Sequence, residues 1–215
     1  MSKRHSLHPG SSSNTTAPPK PPVHLSSSLT IADSTLLAGT HTISLHGETV
    51  IHPRARIESH LGRVSVGRRC IVHERVVLGA APASSSSAAA AVVRRGGGGD
   101  GASGGDGAPA GVTLADYVTV EVAAVIEAGE TVVGEGTVIG VGSRVGAGAV
   151  IGKHCTLTPH SEIAAGEVVP DSTVVYANGM RRTDKRGVAE LKNKTMARQI
   201  DMLRRMIPSN PAKFA

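Results

Sequence analysis

From Val133 onward an aliphatic residue returns at every sixth position: Val133, Ile139, Val145, Ile151, Leu157, Ile163, Val169 and Val175. Glycine follows the first four (Gly134, Gly140, Gly146, Gly152), and a small residue recurs four places after the aliphatic, at Thr137, Ser143, Ala149, Cys155, Ser161 and Thr173. An amphipathic helix needs an apolar period of 3.6, and a meander has turns of variable length, so neither produces a strict period of six. A β-solenoid does. Each hexad is one short strand plus a turn, three hexads make a triangular coil, and coils stack at the strand spacing of about 4.8 Å. The aliphatic residue fills the prism, and the small residue lets the corner close.

An earlier block follows the same rule with more noise, its aliphatic positions being Leu45, Ile51, Ile57, Val66, Val72 and Leu78. Three residues are inserted between Ile57 and Val66, and the stretch before Leu45 fits only with a slip of two. Leu114, Val120 and Ile126 continue the period before a slip of one to Val133. Together the blocks predict about six coils. Composition agrees: Tyr117, Tyr176 and Phe214 are the only aromatic rings apart from histidine, as expected of a prism too thin for rings. No apolar run is long enough to span a membrane as a helix.

The predicted organisation is a disordered tail over 1–30, a solenoid over 31–180 interrupted by a disordered corner loop at 80–111, an exit loop at 181–187, a helix over 188–207 and a tail at 208–215. The Pro- and Ser-rich N-terminus lacks the apolar core of a secretory signal, and its prolines exclude an amphipathic transit helix. The loop is a Ser/Ala/Gly tract that cannot bury a core. In the helix, Leu191, Met196, Ile200, Leu203 and Ile207 share one side.

The net charge of +6 is unevenly spread. Residues 181–215 carry ten Lys/Arg against three acids, whereas 31–180 carry ten against fourteen. A ring-poor, mildly acidic body argues against a nucleic-acid reader. Cys70 and Cys155 are the only cysteines, too far apart for a thiolate metal motif and too few for a disulfide framework, which suggests a reducing compartment.

Hexapeptide solenoids are commonly acyltransferases, in which a histidine between neighbouring subunits acts as general base on a hydroxyl or amine. The candidates are His154 and His160, with Glu162 the one carboxylate that could approach; His52 and His73 read as turn residues. The zinc-dependent gamma-class carbonic anhydrases use three ligand histidines. Aligning their segments places Gly79, Val122 and Glu127 at those positions, so no metal site is expected. A glycine-rich phosphate cradle is not expected either, because GGGGDGASGG lacks the following Lys-Ser/Thr. No catalytic, cofactor-binding or metal residue is therefore assigned.

The order of TVIHPRARI (Thr49–Ile57), VGRRCIVHERVVL, a low-complexity corner loop, GKHCTLTPHSEIAAGEVVPDSTVVYANGMRR and a terminal amphipathic helix resembles the dynactin subunit 6 family. The resemblance implies a left-handed parallel β-helix, an exception to the usual crossover hand. It implies no catalysis and no cofactor. Instead it implies a structural place in the pointed-end complex of dynactin, beside dynactin subunit 5, the zinc-binding subunit 4 and the pointed-end actin-related protein, with dynein as an indirect partner. The location implied is the cytoplasm and cytoskeleton, and neither nucleic-acid binding nor membrane insertion is implied. The alternative is a hexapeptide-repeat acyltransferase.

Overall fold

The computed structural model describes residues 20–83 and 111–214. They form a parallel β-solenoid of six coils and part of a seventh, with three faces. The first face stacks Val23–Leu25, Ile43–Leu45, Val64–Val66, Val112–Leu114, Thr131–Val133, Val150–Ile151 and Val168–Val169. The second stacks Thr30–Ile31, Val50–Ile51, Ile71–Val72, Thr119–Val120, Val138–Ile139, Thr156–Leu157 and Thr173–Val175. The third stacks Leu36–Gly39, Arg56–Ser59, Val77–Ala80, Val125–Glu127, Arg144–Val145 and Glu162–Ile163. All of these ladders are parallel, with register such as Val133↔Ile151↔Val169.

The hexad rule sets the core. All eight aliphatics from Val133 to Val175 are at most 3% exposed, as are the six from Leu45 to Leu78. The small corner residues are buried and tie adjacent coils together: Thr137 Oγ1 donates to Gly152 O at 2.9 Å, and Ser143 Oγ donates to Thr158 O at 3.0 Å. Both cysteines occupy such corners, and burial pushes the Cys70 thiol up to about 12.

Every irregularity falls at the corner between the third and first faces. The slip before Leu45, the insertion between Ile57 and Val66, the long 84–110 segment and the slip at Gly129 all leave there. The expected loop at 80–111 lies largely outside the described residues, but Ala80 still ends a strand and Val112 begins the next. Glu127, a buried residue at 5% exposure, holds this corner. It accepts from the backbone N–H of Ala83 and Ala147 and from Arg144 Nη1, each at 3.3 Å.

Three expected boundaries need correction. The solenoid begins at Val23–Leu25 rather than after residue 30, because Leu25, Ile31 and Leu37 already keep the period of six in a first coil. The exit loop contains the strand Arg181–Thr183, which pairs antiparallel with Thr173–Val175 and covers the last edge of the second face. The terminal tail is not free: Ile31 N–H donates to Ser209 Oγ at 3.0 Å, Asn210 N–H donates to Ile31 O, and Phe214 packs on the end of the prism.

The helix α1 (Ala189–Met206) lies on the second face and runs back against the coil order. Lys192 Nζ meets Thr156 Oγ1 of the sixth coil, Met196 Sδ meets Thr119 Oγ1 of the fourth, and Met196 and Ile200 cover Val50 and Ile71 of the second and third. No helix among the described residues is long and apolar enough to cross a membrane.

Candidate functional site

The histidines expected as general-base candidates stand alone. His154 and His160 occupy corresponding turns on successive corners of the sixth coil, both with positive φ (54° and 59°). Each ring lies over a glycine of the preceding coil, His154 over Gly136 and His160 over Gly142, where an added β-carbon would collide with the imidazole. Among the described residues neither ring hydrogen-bonds or ion-pairs with a carboxylate. Glu162 does not orient His160; it projects from the third face in register with Arg144.

The histidines read as turn residues are the ones the fold brings together. His52 and His73 follow Ile51 and Val72, which are paired in register on the second face. Their backbones repeat the same bond one coil apart, His52 N–H to Val72 O at 2.8 Å and His73 N–H to Val120 O at 2.9 Å. The stacking therefore places the rings 4.6 Å apart, centroid to centroid, with 31° between their planes. The next residue in this column is Glu121, because Val72 pairs with Val120.

Both imidazoles are half-buried, and burial holds both below the ordinary histidine range. For His52 the neighbouring His73 pushes in the same direction, against the weaker upward pull of Glu74. For His73, Glu121 and Glu74 pull upward without overcoming burial. His52 Nε2 is buried and has no hydrogen-bond partner among the described residues. Protonating it would place a charged N–H where nothing accepts it, which is the physical reason the neutral ring is preferred. The column therefore presents a neutral, basic imidazole, His73, between a second imidazole and a carboxylate.

This corner is convex. Two surface cavities among the described residues lie elsewhere. One, of about 520 Å³, is lined by Val23–Ser26 and Ser44–His46. The other, of about 270 Å³, lies between the first and second faces, lined by Glu48, Arg68, Arg69, Asp116 and Tyr117. There Arg69 joins the Glu48 carboxylate to the Tyr117 hydroxyl, and Arg68 Nη2 pairs with Asp116 Oδ2 at 3.1 Å. These groups satisfy one another and brace the underside of α1, since Tyr117 packs in the Met196–Ile200 cluster.

Of the positions aligned with zinc ligands, Val122 is exposed on a turn, and Glu127 is committed to Arg144 and two backbone amides. Among the described residues no group of three His, Cys, Asp or Glu side chains is placed to hold a metal ion.

Residues 130–165 match the family described as bacterial transferase hexapeptide (six repeats). Of solved structures, the chain is similar to a hexapeptide transferase family protein from Anaplasma phagocytophilum, with TM-score 0.63 and 16% identity, over 86% of this chain and 91% of that one. It also aligns, with TM-score 0.42 and 17% identity, to a putative acetyltransferase from Bacillus cereus over 86% and 92% of the two chains. No curated protein matches. The hexapeptide-repeat solenoid is thus shown, and nothing in these matches is specific to the dynactin subunit 6 family. The expectation that the chain is not an enzyme is overturned, because the repeat model that its central coils fit is one of transferases.

Proposed function

We propose that this chain is a hexapeptide-repeat acyltransferase in which His73 is the general base. The observation that carries the reading is the match of residues 130–165 to the transferase hexapeptide family. The histidine column supplies the chemistry.

An acceptor hydroxyl or amine placed against His73 gives its proton to the neutral imidazole as its oxygen or nitrogen attacks the carbonyl of an acyl thioester. The tetrahedral intermediate collapses with loss of the thiolate, which takes the proton back from the imidazolium and leaves as the thiol. Burial favours the starting neutral base, and Glu121, the next residue of the column, favours the transient cation. A convex corner holds only one side of a substrate, so the cleft is completed by a second copy of the chain.

The test is release of free thiol from an acyl-coenzyme thioester in the presence of a panel of sugar, amino-sugar and amine acceptors. The expected result is turnover by the wild type and loss of at least about a hundredfold in His73→Ala, in line with the removal of a general base. His154→Ala and His160→Ala should retain turnover. Absence of thioester consumption, with the protein co-purifying from its own cells with actin-related proteins and a second hexapeptide solenoid, overturns the reading in favour of a place in dynactin.

A further inference from the structure

The outward side of α1 carries chemistry that the solenoid does not use. Met196 and Ile200 face inward and are buried, at 7% and 2% exposure. Leu191, expected from the sequence to share that side, instead lies on the opposite one, because it falls more than a third of a turn from Met196; there Leu191, Met202 and Met206 are 65%, 64% and 72% exposed, among the most exposed large apolar side chains described. Interleaved with them are Lys194, Arg198 and Arg205, all exposed. None of these cations has an ion-pair partner among the described residues.

Spacings of four, seven, eleven and fourteen or fifteen residues from Leu191 put Thr195, Arg198, Met202, Arg205 and Met206 on one stripe, about 22 Å long at 1.5 Å per residue. Because α1 covers Val50 and Ile71, which are 0% exposed, it is the outermost layer of the second face and can lie against a flat surface along its whole length. The helix itself carries five Lys/Arg (Lys192, Lys194, Arg198, Arg204, Arg205) against two acids (Glu190, Asp201), while the body from 31 to 180 is mildly acidic.

The geometry points to this helix face as a docking surface for an anionic phospholipid bilayer, a function separate from acyl transfer. Isolated flexible apolar side chains set between cations suit an interface in which the apolar groups dip below the headgroups while Lys and Arg reach the phosphates. A protein partner would instead demand a contiguous apolar centre with aromatic anchors, and this stripe has neither. Three apolar side chains give weak and reversible binding that depends on lipid charge and is screened by salt.

The experiment is flotation of the full chain with vesicles of phosphatidylcholine alone and of phosphatidylcholine mixed with phosphatidylserine. The expected result is binding to the mixed vesicles only, reversed by raised salt. Arg198→Glu with Arg205→Glu should weaken it about tenfold or more, and Met202→Ser with Met206→Ser should weaken it at unchanged net charge. Thermal melting of each variant shows whether the fold persists, and Arg63→Glu, on the opposite corner, should bind normally. Binding that is equal for neutral vesicles, insensitive to the helix substitutions, absent altogether, or replaced by binding to nucleic acid overturns the inference.

Discussion

The rings of His52 and His73 stack 4.6 Å apart across successive coils, and the buried Nε2 of His52 has no partner among the described residues. Both imidazoles are held below their ordinary range by burial, whereas in the unfolded chain they titrate near the ordinary value of about 6.5. Between those pH values the unfolded chain binds more protons, so stability rises with pH and is lost on acidification. We expect the melting temperature to fall between about pH 7 and about pH 5, and His52→Gln combined with His73→Gln to flatten that interval. Glu48, held below the usual carboxylate range by Arg69, acts at lower pH and does not blur the comparison. A double variant with an unchanged pH profile would show that the stack does not control stability.

The column was hidden in the sequence for a physical reason. A period of six is visible wherever turns have constant length, so the core from Val133 to Val175 could be read position by position. Which turn residues meet across coils depends on the number of residues in the intervening coil. The insertion before Val66 and the long segment after Ala83 change that number between His52, His73 and Glu121. His154 and His160 sit in the regular part of the repeat, where their spacing is legible but the fold lays each ring over a glycine of the preceding coil. The strand Arg181–Thr183 was illegible for another reason: it pairs through its backbone while all three side chains are exposed. The first coil is not legible from the period alone because Leu25, Ile31 and Leu37 are followed by a slip of two.

Ile151 is 1% exposed and sits in register between Val133 and Val169 inside the prism. Truncation in Ile151→Ala should cost about 2–5 kcal/mol, since the stacked coils cannot collapse into the cavity. Ile151→Asp should yield no folded protein, because the carboxylate would be buried without a partner. Urea denaturation of the first and soluble yield of the second measure these outcomes, and wild-type stability in either would refute the register.

Among the described residues Glu127 is the one buried acid, and it closes the irregular corner by holding Ala83, Ala147 and Arg144 at once. Glu127→Ala leaves the half-buried Ala147 amide without an acceptor, while the exposed Ala83 amide turns to water, and should lower stability by about 1–3 kcal/mol. Glu127→Gln keeps one carbonyl acceptor and should cost less. Hydrogen exchange should show the loss concentrated at Ala83, Thr131, Ala147 and Gly148, because Thr131 Oγ1 donates to Glu127 O and accepts from Gly148 N–H. A uniform loss of protection across the solenoid would contradict a local anchor.

The helix is bound to the solenoid by few but well-buried contacts, so its docking should be separable from folding of the coils. Ile200 covers Val50 and Ile71, and Ser209 and Phe214 hold the chain beyond it to the first coil. Ile200→Asp places a charge against those two aliphatics and should release α1, while the solenoid, whose prism is filled by other residues, stays folded. Limited proteolysis should then cut within residues 189–206 and leave a protected fragment containing the coils. Concerted loss of both would mean that the helix is required for the solenoid to fold, because it shields Val50 and Ile71 from water and its trailing residues cover the open end of the first coil.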